Sequence, residues 1–190
     1  RYPDKVKEFV VPYSSAKRAR GNRSSLAVGA LARVNVNYDK LSPLALEVAK
    51  AFGIAPVTHK PYLNNAAQVV EIAHAFEDAI SLIDQLLARG IREEGYAVTV
   101  RPGTGVGGVE VPRGTLYHEY TIDEQGTITA ANFIIPTGQN HQNIEDDLVA
   151  LVPSLAGKSQ QEITLAMEML VRAYDPCISC STHMVEVEFV

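Results

Sequence analysis

The longest regular pattern in the chain lies between residues 63 and 89. Val69, Ile72, Ala73, Phe76, Ala79, Ile80, Ile83, Leu86 and Leu87 recur every third or fourth position. That spacing predicts an amphipathic helix over Leu63 to Arg89 with one buried stripe, stopped by Gly90. His74 falls off the stripe beside Glu71 and Asp78, and reads as a surface or boundary histidine. A shorter helix is predicted upstream, with Ser42 as its cap, Pro43 at its first position, and an end near Gly53. Its apolar positions are Leu44, Leu46, Val48 and Ala49. Two helices are predicted downstream. Glu145, Asp146 and Asp147 after Asn143 suit a first turn, where acids complement the helix dipole. Ser159-Gln160-Gln161-Glu162 has the capping-box pattern, followed by Ile163, Met167, Leu170 and Val171 on the apolar side. Met167 and Met169 read as core or boundary packing.

Between the helices the period drops to two. Ala97-Val98-Thr99-Val100 alternates like a strand, and Thr115 to Thr121 and Thr127 to Ile135 read as two strands. Asp123-Glu124-Gln125-Gly126 supplies the turn between the last two. The glycine-rich stretch Gly103-Thr104-Gly105-Val106-Gly107-Gly108 reads as a loop whose backbone packs closely. A dinucleotide fingerprint needs a strand before such a stretch and a helix after it, and strand-like sequence follows here. Residues 1–40 read as irregular. Their basic cluster Lys17, Arg18, Arg20 and Arg23 is either a solvated loop or a partner-facing patch. The expected fold is α+β, long helices packed with a small antiparallel β element, as one domain over residues 1–190.

Composition narrows the function class. The chain is 46% hydrophobic and 21% charged, as in ordinary globular domains, and its net charge is −5. That balance argues against a nucleic-acid surface. No apolar run reaches the roughly 18 residues a membrane span needs, and no secretory signal opens the chain. A cytoplasmic location is expected.

Chemistry concentrates in Asp175-Pro176-Cys177-Ile178-Ser179-Cys180-Ser181-Thr182-His183, which holds both cysteines of the chain. Two thiolates and an imidazole in one short stretch make a soft-metal set. Other readings stand beside that one. A thioredoxin-type redox pair wants a strand before the motif and a helix after it. A structural zinc site would need further ligands. A disulfide between the two cysteines is a third reading, although two cysteines in 190 residues fit a reducing compartment better.

The run DPCISCSTH resembles the C-terminal metal-binding motif of [NiFe]-hydrogenase large subunits, D-P-C-x-x-C-x-x-H. Val111-Pro112-Arg113-Gly114 resembles that family's Pro-Arg-Gly segment beside the active site. Ile135-Pro136-Thr137-Gly138-Gln139-Asn140 resembles its Pro-Ser/Thr-x-x-Asn segment, and Leu31-Ala32-Arg33-Val34-Asn35 a further one upstream. The wording around RAYDPCISCSTH is most similar to the cytoplasmic branch that includes F420-, NAD- and viologen-reducing enzymes.

The resemblance implies the C-terminal portion of a larger hydrogenase large subunit, an oxidoreductase acting on H2 by reversible heterolytic cleavage. It implies Cys177 as a terminal thiolate on nickel and Cys180 as a bridge between nickel and iron. It implies iron carrying CO and cyanide ligands, with Arg113 and Thr137 as hydrogen-bond donors to cyanide and Pro112 and Pro136 as rigid apolar walls. Without the resemblance, Arg113 reads as an ordinary salt bridge in a turn. Cys177, Arg113 and Asp175 are the candidates to handle the proton, although Asp175 equally reads as a local cap for the cysteine turn. His183 resembles the histidine that binds a separate divalent metal, usually magnesium.

The family's upstream C-x-x-C and its proton-relaying glutamate do not occur in this sequence, so the chain by itself is expected to be inactive. Expected partners are a small subunit carrying iron–sulfur clusters, since no cysteines remain here to hold them, and an electron-accepting subunit. The rival reading is a catalytically inactive, zinc- or nickel-binding interaction domain that keeps the fold. The tail Met184 to Val190 alternates Val185, Val187 and Phe189 with Glu186 and Glu188, as a half-buried strand would.

Overall fold

A computed structural model of the chain describes residues 6–21, 25–93, 95 and 97–178. In chain order the elements are β1 (Lys7–Val11), β2 (Ser14–Arg20), α1 (Ala30–Asn37), α2 (Pro43–Ala51), α3 (Asn64–Arg89), β3 (Gly103–Val111), β4 (Gly114–Ile122), β5 (Ile128–Ile134), α4 (Pro136–Leu151) and α5 (Gln160–Ala173). The architecture is α+β, as expected. β1 and β2 form an antiparallel pair, and β3, β4 and β5 form a three-stranded antiparallel sheet in sequential order.

Small residues let the first three helices approach closely. Ala30 and Val34 of α1, Ala45 and Ala49 of α2, and Ala67 and Val70 of α3 meet around Ile54 in one buried cluster. Pro43 occupies the first turn of α2 as predicted, but Ser42 does not cap it with its side chain. The Ser42 hydroxyl is buried without a partner. The start of α2 is satisfied instead from α3: His74 Nδ1 accepts from the Ser42 N–H at 3.1 Å, and Glu77 Oε2 accepts from the Leu44 N–H at 3.1 Å. His74 is half-buried, the boundary position that its place off the apolar stripe implied.

α3 corrects a second expectation. Its existence and length follow the sequence pattern, but the stripe predicted to be buried is largely open. Ile72 is 55% exposed, Phe76 67%, Ile80 60% and Leu87 65%. Its buried residues are Asn64, Ala67 and Val70, on a different side and only near its start. α5 begins with the predicted capping box, Ser159 and Glu162 each bonding the other's backbone N–H. Leu170 and Tyr174 pack on Ile144 of α4, while Met169 is exposed.

The strand region departs from expectation in three places. The stretch Gly103 to Gly108 is strand, not loop: it is the first part of β3, with Gly103, Gly105 and Gly107 opposite Ile122, Tyr120 and His118 of β4. A partner strand supplies the ladder that glycine's propensity alone would not favour. Residues 97–100 form no strand. Residues 7–20, read as irregular, form the β1–β2 hairpin, in which Arg18 is buried against Glu145 and Gln142 of α4. Arg18 is thus neither solvated nor partner-facing. Arg23 and the tail after Ile178 lie outside the described residues. The turn after β4 forms as predicted, with Asp123 Oδ1 accepting from the N–H groups of Gln125 and Thr127 at 2.9 Å each.

Candidate metal centre

Val111 and Gly114 are paired across β3 and β4, so Pro112 and Arg113 are the two residues of a tight hairpin turn. Gly114 has φ +135°, and a Cβ there would stand 2.4 Å from Val28 Cγ2. Only glycine allows both that conformation and that approach. The same imagined Cβ would lie 3.2 Å from Pro136 Cβ, so the two motif prolines belong to one corner of the molecule.

From this turn the Arg113 side chain reaches the end of α5. Its Nε donates to the Asp175 carbonyl at 2.9 Å, and its Nη2 lies 3.4 Å from Asp175 Oδ1. Asp175 has φ +50°, the one described non-glycine residue in the left-handed region. Pro176 disfavours right-handed helical geometry at the residue before it, and aspartate tolerates the left-handed alternative better than most. The predicted break before Cys177 is therefore real. Asp175 Oδ2 accepts from Gln68 Nε2 at 2.8 Å, so both carboxylate oxygens are engaged.

The third component is the start of α4. Pro136 holds its first position and Thr137 is buried behind it. The Cys177 N–H donates to Thr137 Oγ1 at 3.1 Å. The hydroxyl thus accepts from the cysteine backbone and keeps its own proton for another acceptor. The Thr137 and Gly138 N–H groups belong to a first helical turn, where no intrahelical acceptor exists. The backbone of Cys177 is therefore anchored to the first turn of the sixteen-residue helix α4. In this structure Cys177 is disulfide-bonded, so the form able to ligate metal is the reduced one. Cys180 and His183 lie outside the described residues.

Polar side chains fix this corner from behind; Arg33, Gln139 and Asn140 stand in segments the sequence singled out, whereas Asn64, Gln68 and Glu71 were missed. Asn64 Oδ1 accepts from the Leu31 N–H, and its Nδ2 donates to Ala173 O, each at 3.0 Å. Gln68, one helical turn on, holds Asp175, and Glu71, a further turn on, receives Arg33 Nε and Nη2 at 2.6 Å each. These bonds hold Arg33 protonated more firmly than usual, against the opposing effect of burial. The signal was a polar stripe at i, i+4 and i+7 on the helix read only for its apolar one. Asn140 brackets Val28, accepting from its N–H at 2.8 Å and donating to its carbonyl at 3.1 Å. Buried Gln139 donates to Thr115 O at 2.7 Å. Tyr174, next to Asp175, donates to Asp147 at 2.5 Å and accepts from Asn143. Burial first, then the bond to Asp147, pushes its phenol well above the ordinary range.

Three sequence-distant motifs thus converge: 112–114, 136–140 and 175–177. The family model of nickel-dependent hydrogenases matches residues 2–183. The chain belongs to the nickel-dependent hydrogenase family. It is 36% identical over 187 residues to the sulfhydrogenase 1 subunit alpha of Pyrococcus furiosus, a match covering 98% of this chain and 44% of that subunit. It is 36% identical over 172 residues to the NAD-reducing hydrogenase HoxS subunit beta of Cupriavidus necator, covering 85% of this chain and 34% of that one. Among solved structures, an NAD+-reducing [NiFe]-hydrogenase in the H2-reduced state superposes with a TM-score of 0.79 at 30% identity, over 96% of this chain and 42% of that one. The chain therefore spans less than half the length of the hydrogenase subunits it matches.

The residues present fit a nickel-bearing centre by their donor chemistry. The corner offers a cysteine whose backbone bonds the first turn of α4, a buried hydroxyl with a proton to give, and a guanidinium held against one carboxylate. Among the described residues no helix is long and apolar enough to cross a membrane.

Proposed function

We propose that this chain is the C-terminal portion of a [NiFe]-hydrogenase catalytic subunit and supplies half of the thiolate ligands of its nickel–iron centre. The observation that carries this reading is the hydrogen bond from the Cys177 N–H to Thr137 Oγ1, with Arg113 bound to Asp175 two residues away. Cys177 and Cys180 would hold the metals, and His183 a separate divalent cation such as magnesium. Such a centre supplies Lewis acidity toward H2 when bound. The chain's own residues do the rest. Cys177 Sγ, as thiolate, is the base that holds the proton released from H2. Arg113, half-exposed beside Asp175, would present cationic N–H donors to cyanide on iron. Thr137 offers its hydroxyl proton to the same kind of acceptor. Pro112 and Pro136 restrict the pocket to small molecules. Asp175 orients Arg113 through its carbonyl and carboxylate.

The upstream C-x-x-C would come from the remainder of the large subunit. We assign the open apolar face of α3 to that remainder as well, because relatives are more than twice as long as this chain and the face is exposed among the described residues. Electrons would leave through a small subunit carrying iron–sulfur clusters, toward an acceptor subunit in the cytoplasm. The test is purification of this chain with the remainder of the subunit and its small subunit, followed by metal analysis and H2-dependent viologen reduction. Nickel and iron in equal amounts with turnover support the reading. Zinc alone, without turnover, replaces it with the inactive metal-binding domain.

A further inference from the structure

We infer that Arg33 is a positioning residue for Arg113, acting by holding the backbone of the Pro112-Arg113 turn; its catalytic consequence rests on the function proposed above. Arg33 lies on α1, outside all three motifs that meet at the cysteine. Its guanidinium has five N–H donors, and all five are used. Nε and one Nη2 proton go to the two oxygens of Glu71, each at 2.6 Å. The other Nη2 proton goes to Pro112 O at 2.9 Å. Nη1 donates to Val111 O at 3.0 Å and to Glu110 Oε2 at 2.8 Å. The two carbonyls are those of the residues immediately before Arg113. A two-residue turn leaves the Pro112 carbonyl without a partner inside the hairpin ladder, so Arg33 supplies the bond that the turn cannot make for itself and adds a second one at Val111 O.

The consequence is geometric. Arg113 makes its contacts at the far end of a long side chain, so its placement depends on where its Cα is fixed. Arg33 ties that Cα to Glu71 of α3, and Gln68 of the same helix ties Asp175. One rigid helix thereby sets the spacing between Arg113 and the residues leading into Cys177. Lysine at position 33 would keep the charge but offers only three donors from a single point, so it cannot hold Glu71 and both carbonyls in one plane.

The experiment uses the assembled enzyme with Arg33→Lys, Arg113→Lys and both together. Arg33→Lys is expected to lower kcat by roughly ten- to a hundredfold, the usual effect of a misplacement near 1 Å, with nickel content unchanged. The double variant should be no worse than Arg113→Lys alone, because Arg33 acts through Arg113. Additive losses, or wild-type kcat in Arg33→Lys, overturn the inference. Amide hydrogen exchange across residues 111–116 decides the clamp without metal or turnover: faster exchange in Arg33→Lys is expected, and unchanged exchange overturns it. If the parent proves free of nickel, the proposed function fails while the exchange result still stands. Should Arg33→Lys not fold, Glu71→Gln loosens the same grip with Arg33 retained. It should raise exchange at the turn in the same direction, and no change there overturns the inference equally.

Discussion

Arg113 illustrates why residue identity matters more than charge at this corner. Its Nε and Nη2 address the carbonyl and the carboxylate of Asp175 at once, which requires a planar fork. Arg113→Lys in the assembled enzyme should therefore cut kcat at least tenfold while nickel content stays within error of the parent. Loss of nickel would make Arg113 a structural residue instead. Glu145 shows a different residue-scale effect. Hydrogen bonds from Arg18 first, then from Tyr13, hold its carboxyl below the ordinary range. A lowered folded-state value means that the pair's contribution is complete at neutral pH and fades as pH falls through that value. Glu145→Gln should destabilise by about 1 kcal/mol at pH 7, a modest figure because the carboxylate is partly solvated although Arg18 is buried. Urea unfolding at pH 7 and pH 3 checks this: the gap between parent and variant should narrow at the lower pH.

At the scale of elements, what was legible followed from local signals. The proline and capping pattern gave the ends of α2 and α5, and Pro176 gave the break at Asp175. β1, β2, α1 and β3 were not legible, because each depends on a neighbour. The β1–β2 hairpin is held by bonds from Arg18 and Tyr13 to α4, and the glycines of β3 are ordered by β4. The direction of α3 was half legible. Its apolar stripe promised burial, whereas the side that turns inward at its start is alanine-rich with Asn64, Gln68 and Glu71 alongside. Phe76→Asp on the open face should leave the secondary structure of this chain unchanged but prevent copurification with the remainder of the large subunit. Normal assembly of that variant would show that the face is covered by something else.

For the whole molecule, the convergence of the 112–114, 136–140 and 175–177 segments means that metal retention is a test of assembly as well as of ligands. Cys177→Ser should lose nickel from the assembled enzyme almost completely, since a hydroxyl is a poor soft-metal ligand. Nickel loading equal to that of the parent would reject Cys177 as a ligand. The motifs made the candidate site readable from sequence as three separate strings. Their joint geometry was not, because the bonds that unite them run through backbone groups. Val28 is bracketed by Asn140 and abuts Gly114, Gly29 faces the Arg113 carbonyl, and Leu31 donates to Asn64. The segment 28–31 thus serves largely through its main chain, and amide groups are the same in every amino acid except proline. Substitutions of Val28 or Leu31 that keep a similar apolar volume should be absorbed, but adding or deleting a single residue would slide each amide past its partner. Gly29, at φ +122°, and fully buried Ala30 keep their identities, and the stretch as a whole should behave as a ruler, intolerant of any change of length.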